Sequence, residues 1–254
     1  LQIVEIDMQK SLAVISDIHA NFEALSAVIS DFQAQGVTEA VCLGDIVGYA
    51  SGVNSCVRKI RKMDFPALLG NHDAAACFGD IPEEFNDTAT AGAIYAARQL
   101  SAENKYWLLA LPRVLTRKGI TFVHASLADD VRWPYIVADK DAAWHFAAQE
   151  TRIAFCGHTH KPLIWTENSP VDVLRTQPSF NEPMQIPDAC KVLINVGSVG
   201  QPRDGDARAC YVIYSPQQNS LEFRRVPYNF KTTRRKILRA KLPLFSAQRL
   251  ALGR

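Results

Sequence analysis

The chain has 254 residues, of which 48% are hydrophobic and 21% charged, and carries a net charge of +2. This composition excludes disordered, collagen-like and disulfide-stapled scaffolds, and a chain of this length buries roughly 75% of its unfolded surface, enough for a core without staples. No run of 18 apolar residues occurs, so no membrane-spanning helix is expected.

Glu5 and Asp7, set around a short apolar run, do not fit a secretory signal, and a natural start upstream of Leu1 or at Met8 is expected. Leu12–Ser16 reads as a buried strand. Asn21 can cap a helix with Phe22, Leu25, Ile29 and Phe32 on one stripe and Gly36 as its stop. Ala40–Leu43 is the next strand. Val53, Cys56, Val57 and Ile60 mark a second amphipathic helix, and Phe65–Leu69 a third strand. Residues 87–110 are Ala-rich and helical in period up to Pro112. Ile120–Val123, Arg152–Cys156, Val192–Val196, Ala209–Tyr214 and Leu221–Val226 complete the strands. The first half alternates β and α and the second is mostly β, which predicts a layered α/β sandwich. Between them, Pro170, Pro178, Pro183 and Pro187 make 168–190 a long loop or irregular hairpin, overhanging the site described below or lying on the surface.

Residues 227–254 hold eight bases and no acid, which leaves the rest of the chain at −6. A mildly acidic body disfavours a nucleic-acid partner. The tail predicts a C-terminal helix with Phe230, Thr233, Ile237 and Leu244 on one face and bases opposite. Cys42, Cys56, Cys77, Cys156, Cys190 and Cys210 form no C-x-x-C, and four of them lie in apolar segments. They are expected as reduced core residues of a cytoplasmic protein.

Each of five predicted strands runs into metal-ligand residue types. The blocks are Asp17-Ile-His19-Ala-Asn21, Gly44-Asp45-Ile-Val-Gly48, Gly70-Asn71-His72-Asp73, His124-Ala-Ser126 and Gly157-His158-Thr-His160. Each block alone is a weak or moderate signal; their joint presence after successive strands, where open α/β sheets gather ligands, is a strong one. Asp, Asn and His without thiolate suit divalent Mn, Fe, Zn, Co or Ni. Seven or eight such groups exceed the needs of one ion, and a carboxylate bridging two ions roughly 3.5–4 Å apart resolves the excess, with Asp45 as the bridge.

The series D-x-H, G-D-x-x-G, G-N-H-D, H and G-H-x-H, spanning residues 12–160, resembles the calcineurin-like metallophosphoesterase superfamily. Asn195-Val-Gly-Ser-Val-Gly-Gln-Pro-Arg-Asp204 resembles a segment of its bacterial and archaeal phosphodiesterase-like branch, which includes enzymes acting on diadenosine tetraphosphate. The resemblance implies a four-layer α-β-β-α sandwich over the whole chain, with 228–254 as a basic C-terminal helix on a single domain. It implies two divalent transition-metal ions, manganese first. Asp17, His19, Asp45 and His160 would hold one, and Asp45, Asn71, His124 and His158 the other. It implies hydrolysis of a phosphorylated small molecule or nucleotide, of phosphodiester or dinucleoside-polyphosphate type, by in-line attack of a metal-bridging hydroxide. His72 would act on the leaving oxygen and Asp73 would orient it. Asn21 and Arg203 are candidate substrate contacts, with an ion pair to Asp204 or Asp206 as the alternative for Arg203. A phosphomonoesterase or protein phosphatase on the same site, or a non-catalytic scaffold of the same fold, are the competing readings. Gly197-Ser-Val-Gly200 is one residue short of a serine-hydrolase elbow.

Overall fold

The first strand sets the layering. In the computed structural model, which describes residues 7, 9–169 and 172–254, strand β1 (Leu12–Ile15) is buried on both faces. Leu12 and Val14 enter one apolar cluster, and Ala13 and Ile15 enter another. Side chains alternate across a strand, so β1 needs cover on both sides. It pairs in parallel with β2 (Glu39–Cys42) and antiparallel with β10 (Ala209–Ser215), which continues to β11 (Ser220–Val226) and β8 (Pro183–Gln185). The second sheet runs β3 (Val114–Arg117), β4 (Ile120–Val123), β5 (Ile153–Cys156), β9 (Lys191–Asn195), β6 (Leu163–Ser169) and β7 (Asp172–Thr176), with β4, β5 and β9 parallel.

Three clusters fill the spaces between four layers. Val14, Val41, Phe122, Phe155, Val212 and Phe223 lie between the sheets. Helices α1 (Phe22–Ala34) and α2 (Val53–Met63) cover the outer face of the first sheet, with Leu25, Phe32 and Val57 against Ile15 and Tyr211. Helix α6 (Asp139–Ala148) covers the second through Ala142 and Phe146 against Ala154, Trp165 and Leu193. The architecture is the expected α-β-β-α sandwich with two mixed sheets. The Pro-rich 168–190 stretch supplies an edge strand to each sheet: β7, paired irregularly with β6, ends the second, and β8 ends the first. Leu1–Ile6, Met8 and Pro170 lie outside the described residues.

Four expectations shift. Phe65–Leu69 forms a single bridge, Cys42 to Ala67, rather than a strand. Pro66 lacks the N–H that the next rung would need; on the opposite edge Leu69 N donates to Pro112 O at 2.9 Å. The 87–110 stretch is two helices, α4 (Asp87–Gln99) and α5 (Ala102–Leu109). Ser101 starts the second by accepting from Asn104 N, and Asn54 of α2 grips the break, donating to Gln99 O and accepting from Ser101 N. Gly70–Asp73 is no free loop, because Asn71 begins α3 (Asn71–Phe78). In the tail, α7 (Phe230–Arg239) buries Thr233 and Ile237, but Leu244 is 55% exposed. The chain turns at Lys241, which has φ +56°, and restarts at Pro243 as α8 (Leu244–Gln248), so Leu244 leaves the α7 face.

Asn21 joins these layers. Its side-chain oxygen caps α1 at Ala24 N (3.2 Å) and accepts from Thr233 Oγ1 of α7 (2.9 Å). Its amide nitrogen donates to Gly200 O (2.8 Å) and Tyr228 Oη (3.2 Å). All four hydrogen-bonding positions of a fully buried amide are therefore used inside the protein. Asn21 thus ties α1, α7 and the Gly200 segment together, with its amide engaged inside the protein rather than presented to the site. Asn21→Ala removes a cap worth about 1 kcal/mol and orphans buried partners worth about 1–3 kcal/mol more. Its denaturant midpoint is expected to fall accordingly. An unchanged midpoint with a raised KM would restore the substrate-contact assignment.

Candidate metal centre

The carboxyl ends of β1, β2, β4 and β5 converge at one rim of the sandwich, and the loops that leave them are wound tightly. Among the described residues, seven of the thirteen non-glycine positive-φ residues are Asp17, His19, Ala20, Asp45, Tyr49, His158 and His160, with φ between 47° and 66°. Such conformations persist only where surrounding bonds hold them. Here His19 N donates to Asp45 O (2.9 Å), Ala20 N to Ile46 O (2.9 Å), Gly157 N to His124 O (2.9 Å) and Gly200 N to Asp17 O (2.9 Å). Glycine is required where backbone meets the site. A Cβ at Gly70 would collide with the Asp45 carboxylate, and one at Gly48 (φ +106°) would lie 2.7 Å from His72 Nδ1.

Three imidazoles are each held by a backbone carbonyl. His19 Nδ1 meets Val47 O at 3.2 Å, His124 Nδ1 meets Leu43 O at 3.0 Å, and His160 Nδ1 meets Gln201 O at 2.6 Å. A carbonyl only accepts, so each Nδ1 carries a proton, and in the neutral ring Nε2 presents a lone pair. Those lone pairs face other acceptors. His19 Nε2 lies 3.1 Å from His160 Nε2, and His124 Nε2 lies 3.1 Å from Asn71 Oδ1. With neutral rings, each pair is repulsive unless a proton or a metal cation stands between its members. One oxygen of Asp45, Oδ2, lies 3.6 Å from His19 Nε2 and 3.4 Å from His124 Nε2. Asp17 Oδ1 lies 3.3 Å from His160 Nε2 and 3.7 Å from His19 Nε2. Asp17 Oδ1 and His158 Nε2 are buried without any hydrogen-bond partner. Donor atoms of Asp17, His19 and His160, and of Asp45, His124 and His158, lie within 4.8 Å of one another in each group. These residues fit divalent cations, which would satisfy the orphaned atoms and relieve both repulsions.

Protonation states agree. Burial pushes the Asp17 carboxyl up, but the neighbouring histidines, His160 foremost, outweigh it and hold it well below the carboxylate range. Asp45 is likewise pushed up by burial and held low by His124, His72 and His19. Burial lowers His158 and His160 to about 3, aided by His124 in the first case and Arg203 in the second. Burial also lowers His124, but Asp45 overcomes it and lifts the ring to about 9. Asp17 and Asp45 are thus anionic and His158 and His160 neutral, the forms that ligate metals, while His124 holds a proton that a metal would displace.

His72 and Asp73 lie beside the cluster in α3. The His72 ring stacks on Phe85 (4.4 Å between centroids) and packs against Tyr49 (4.7 Å) and His19 (4.9 Å). Its Nδ1 has no partner, and burial holds it neutral. A donor atom of His72 also lies within 4.8 Å of His19 and Asp45 donors. The Asp73 carboxylate does not meet the His72 ring. It accepts from Val47 N (2.9 Å), Ile46 N (3.2 Å) and Gly70 N (3.2 Å), which ties the Asp45 loop to the start of α3. Burial beside Asp45 raises it to about 7 against those three bonds.

Arg203 pairs with neither Asp204 nor Asp206, which engage Arg225 and Arg208. Its guanidinium instead donates to Tyr49 Oη (3.2 Å) and Gln201 Oε1 (2.9 Å), facing the cluster. Sequence reading missed the rings that wall the site, Phe85 and Tyr135, the latter stacked on His158 at 4.1 Å. Neither sits in a patterned stretch. It also missed the carbonyls of Leu43, Val47 and Gln201, which any residue type could supply. His145, the histidine outside the five blocks, accepts from Leu127 N (3.1 Å) and so steadies the loop after His124. A cavity of about 330 Å³ with Asn71 in its wall opens beside the cluster, lined by Phe78, Pro82, Arg113 and Trp133.

Comparisons with known proteins agree with this geometry. A family model for the calcineurin-like phosphoesterase superfamily domain matches residues 11–219. The uncharacterized protein MJ0912 of Methanocaldococcus jannaschii is 33% identical over 252 residues, which is 97% of this chain and 100% of that protein. A metallophosphoesterase from Sphaerobacter thermophilus is similar in structure with a TM-score of 0.86 and 37% identity, covering 96% of this chain and 99% of that one. The hypothetical protein PH1004 from Pyrococcus horikoshii shares the fold at a TM-score of 0.74 and 19% identity, covering 96% and 98%. With the histidine and aspartate clusters above, these matches place the chain in the calcineurin-like phosphoesterase superfamily, as a metal-dependent phosphoester hydrolase.

Proposed function

We propose that the protein hydrolyses phosphodiesters or dinucleoside polyphosphates at a centre of two divalent ions. One observation carries the reading: two facing pairs of donor atoms, His19 with His160 and His124 with Asn71, share a single Asp45 oxygen. We assign Asp17, His19, Asp45 and His160 to one ion and Asp45, Asn71, His124 and His158 to the other. Oxygen and imidazole donors without thiolate suit manganese, with iron, zinc, cobalt and nickel as further candidates. The ions would neutralise the phosphoryl oxygens and activate water near neutral pH.

The remaining work belongs to the chain. His72, neutral and clamped by Phe85 and Tyr49, donates a hydrogen bond or proton to the leaving oxygen. Asp73 acts on it through the backbone, fixing the Asp45 loop against the start of α3. Arg203, without a carboxylate partner, takes a phosphoryl oxygen. The cavity walled by Asn71 and Trp133 receives the organic part of a small-molecule or nucleotide substrate. The preference for diester or polyphosphate substrates over monoesters rests on the loop around Arg203. Six buried, unpaired thiols support a cytoplasmic location.

Hydrolysis by manganese-loaded protein of a matched diester, monoester and dinucleoside polyphosphate, with chelated protein as control, tests the reaction and ranks the substrates. A monoester turned over fastest would overturn the preference. Asp45→Asn is expected to lower bound metal and abolish turnover; full activity in this variant would remove Asp45 from the bridging role. His72→Ala is expected to keep its full metal content and slow turnover by roughly 10²–10⁴-fold. Loss of one metal equivalent would instead make His72 a ligand, as its distance to His19 and Asp45 allows. Chelation is expected to lower the melting temperature and manganese to restore it, since a ligand at 100 times its Kd contributes about 2.7 kcal/mol. A melting temperature indifferent to metal would contradict the fit of these residues to cations.

A further inference from the structure

Of the eight bases in the C-terminal stretch, seven are exposed, and Arg249 alone is buried, at 9% exposure. Its guanidinium lies 5.1 Å from the Phe245 ring centroid and 5.8 Å from that of Tyr49, and its Nε donates to Arg254 O. On the same tyrosine, 5.6 Å from the centroid, sits the guanidinium of Arg203. Among the described residues, neither arginine has an Asp or Glu carboxylate within ion-pair distance; Asp204 and Asp206 engage Arg225 and Arg208. Two like charges thus lie within 5.8 Å of one ring centroid, one of them on a side chain nine-tenths buried, whose Nε alone carries a hydrogen bond among the described residues. Burial and the Arg203 charge together draw Arg249 down to about 10. An arrangement of this kind is repaid when an anion lies against both groups.

The location gives the anion its meaning. The Tyr49 ring lies 4.8 Å from His19 and 4.7 Å from His72, and Arg203 N donates to the carbonyl of His160 (3.2 Å). Beyond Arg249 opens a cleft of about 420 Å³ that also takes in Arg234 and Arg254 and has no acidic residue in its lining. Positive groups therefore continue from the metal cluster past Tyr49 to the outer surface. The C-terminal end is pinned there, since Gly205 N donates to Gly253 O (2.9 Å).

We propose that Arg203 and Arg249, set about Tyr49, form a second anion site that holds a non-scissile phosphoryl group, so that the substrate carries phosphoryl groups in series. This rests on the phosphoesterase reading for the reaction but not for the binding. The probe is inorganic tripolyphosphate, titrated calorimetrically into chelated, metal-free protein, with orthophosphate beside it. Wild type is expected to bind tripolyphosphate more tightly than orthophosphate. Arg249→Gln and Arg203→Gln are each expected to weaken tripolyphosphate binding roughly 10-fold or more, with Arg249→Lys retaining part of it. Lys231→Gln, an exposed charge on the same tail, is expected to leave it within about twofold.

With manganese bound, Arg249→Gln is expected to raise KM for a dinucleoside polyphosphate while leaving the kinetics on a simple aryl diester near wild type. Tripolyphosphate affinity unchanged in Arg249→Gln, or reduced equally by Lys231→Gln, overturns the site. If Arg249→Gln does not fold, Arg249→Lys and Arg203→Gln decide the matter in the same titration. Binding as expected without turnover of any phosphoester would leave the anion site standing and remove the hydrolytic reading. Turnover without arginine-dependent binding would do the reverse.

Discussion

Three hydrogen bonds from imidazole Nδ1 to backbone carbonyls are the constraint on which the rest of the site depends. They hold a proton on Nδ1 of His19, His124 and His160 and turn each Nε2 inward. Without them the rings could swivel to donate to Asp17 or Asp45, and the cluster would settle as an ordinary network of buried ion pairs. With them, neutral rings present acceptors to acceptors at 3.1 Å, which a proton or a metal cation reconciles. The carbonyls belong to Leu43, Val47 and Gln201, whose side-chain chemistry is immaterial to the role. What matters is where the main chain runs, and so the fold itself orients the ligands.

That explains where the backbone strain lies. To present side chain and carbonyl in the right places, the loops after β1, β2 and β5 adopt left-handed conformations at Asp17, His19, Asp45, His158 and His160. Conformations of this kind cost of order 1–3 kcal/mol each and need surroundings that over-determine them. The sandwich supplies those surroundings from both sheets. β1 and β2 deliver two loops side by side, the parallel strands β4 and β5 deliver two more, and the segment after β9 crosses back to bond Ser16 and Asp17 carbonyls through Val199 N and Gly200 N. Asp73 adds three bonds where the Asp45 loop meets α3. Apolar packing of Val14, Phe122, Phe155 and Val212 between the sheets holds the two sets of loops in register.

Much of this was legible in the sequence, because chemistry and periodicity coincide there. Apolar runs such as Leu12–Ile15 and Ile153–Cys156 read as strands, and each ends in a ligand type that has no other reason to be buried. What escaped depends on tertiary partners. The missing N–H of Pro66 shortened a strand whose apolar pattern looked complete, and Asn54 broke an Ala-rich helix from a different element. Helix α6 was not anticipated, because its sequence mixes charges with Trp144 and buries only Ala142, His145 and Phe146. Among polar residues, type alone could not separate a substrate contact from an architectural one. Asn21 and Arg203 looked alike in this respect, yet every hydrogen-bonding position of one is used internally, while the other lacks a counter-ion.

Asn21 also explains how a basic tail far along the chain comes to lie against the site. Thr233 of α7 bonds the same amide that caps α1 and holds Gly200, and Glu23 in the first turn of α1 pairs with Lys236. Docking of α7 is therefore fixed to the segment that carries Gly200 and, three residues on, Arg203. The turn at Lys241 and Pro243 then swings α8 away from α7, exposing Leu244 and bringing the Arg249 guanidinium to 5.8 Å from the Tyr49 ring centroid. A straight continuation of α7 would have kept Leu244 in its apolar stripe and left Arg249 among the exposed bases. Leu244, at 55% exposure, thus gives up apolar burial in the same turn that buries Arg249, and charge count alone gives no sign of it.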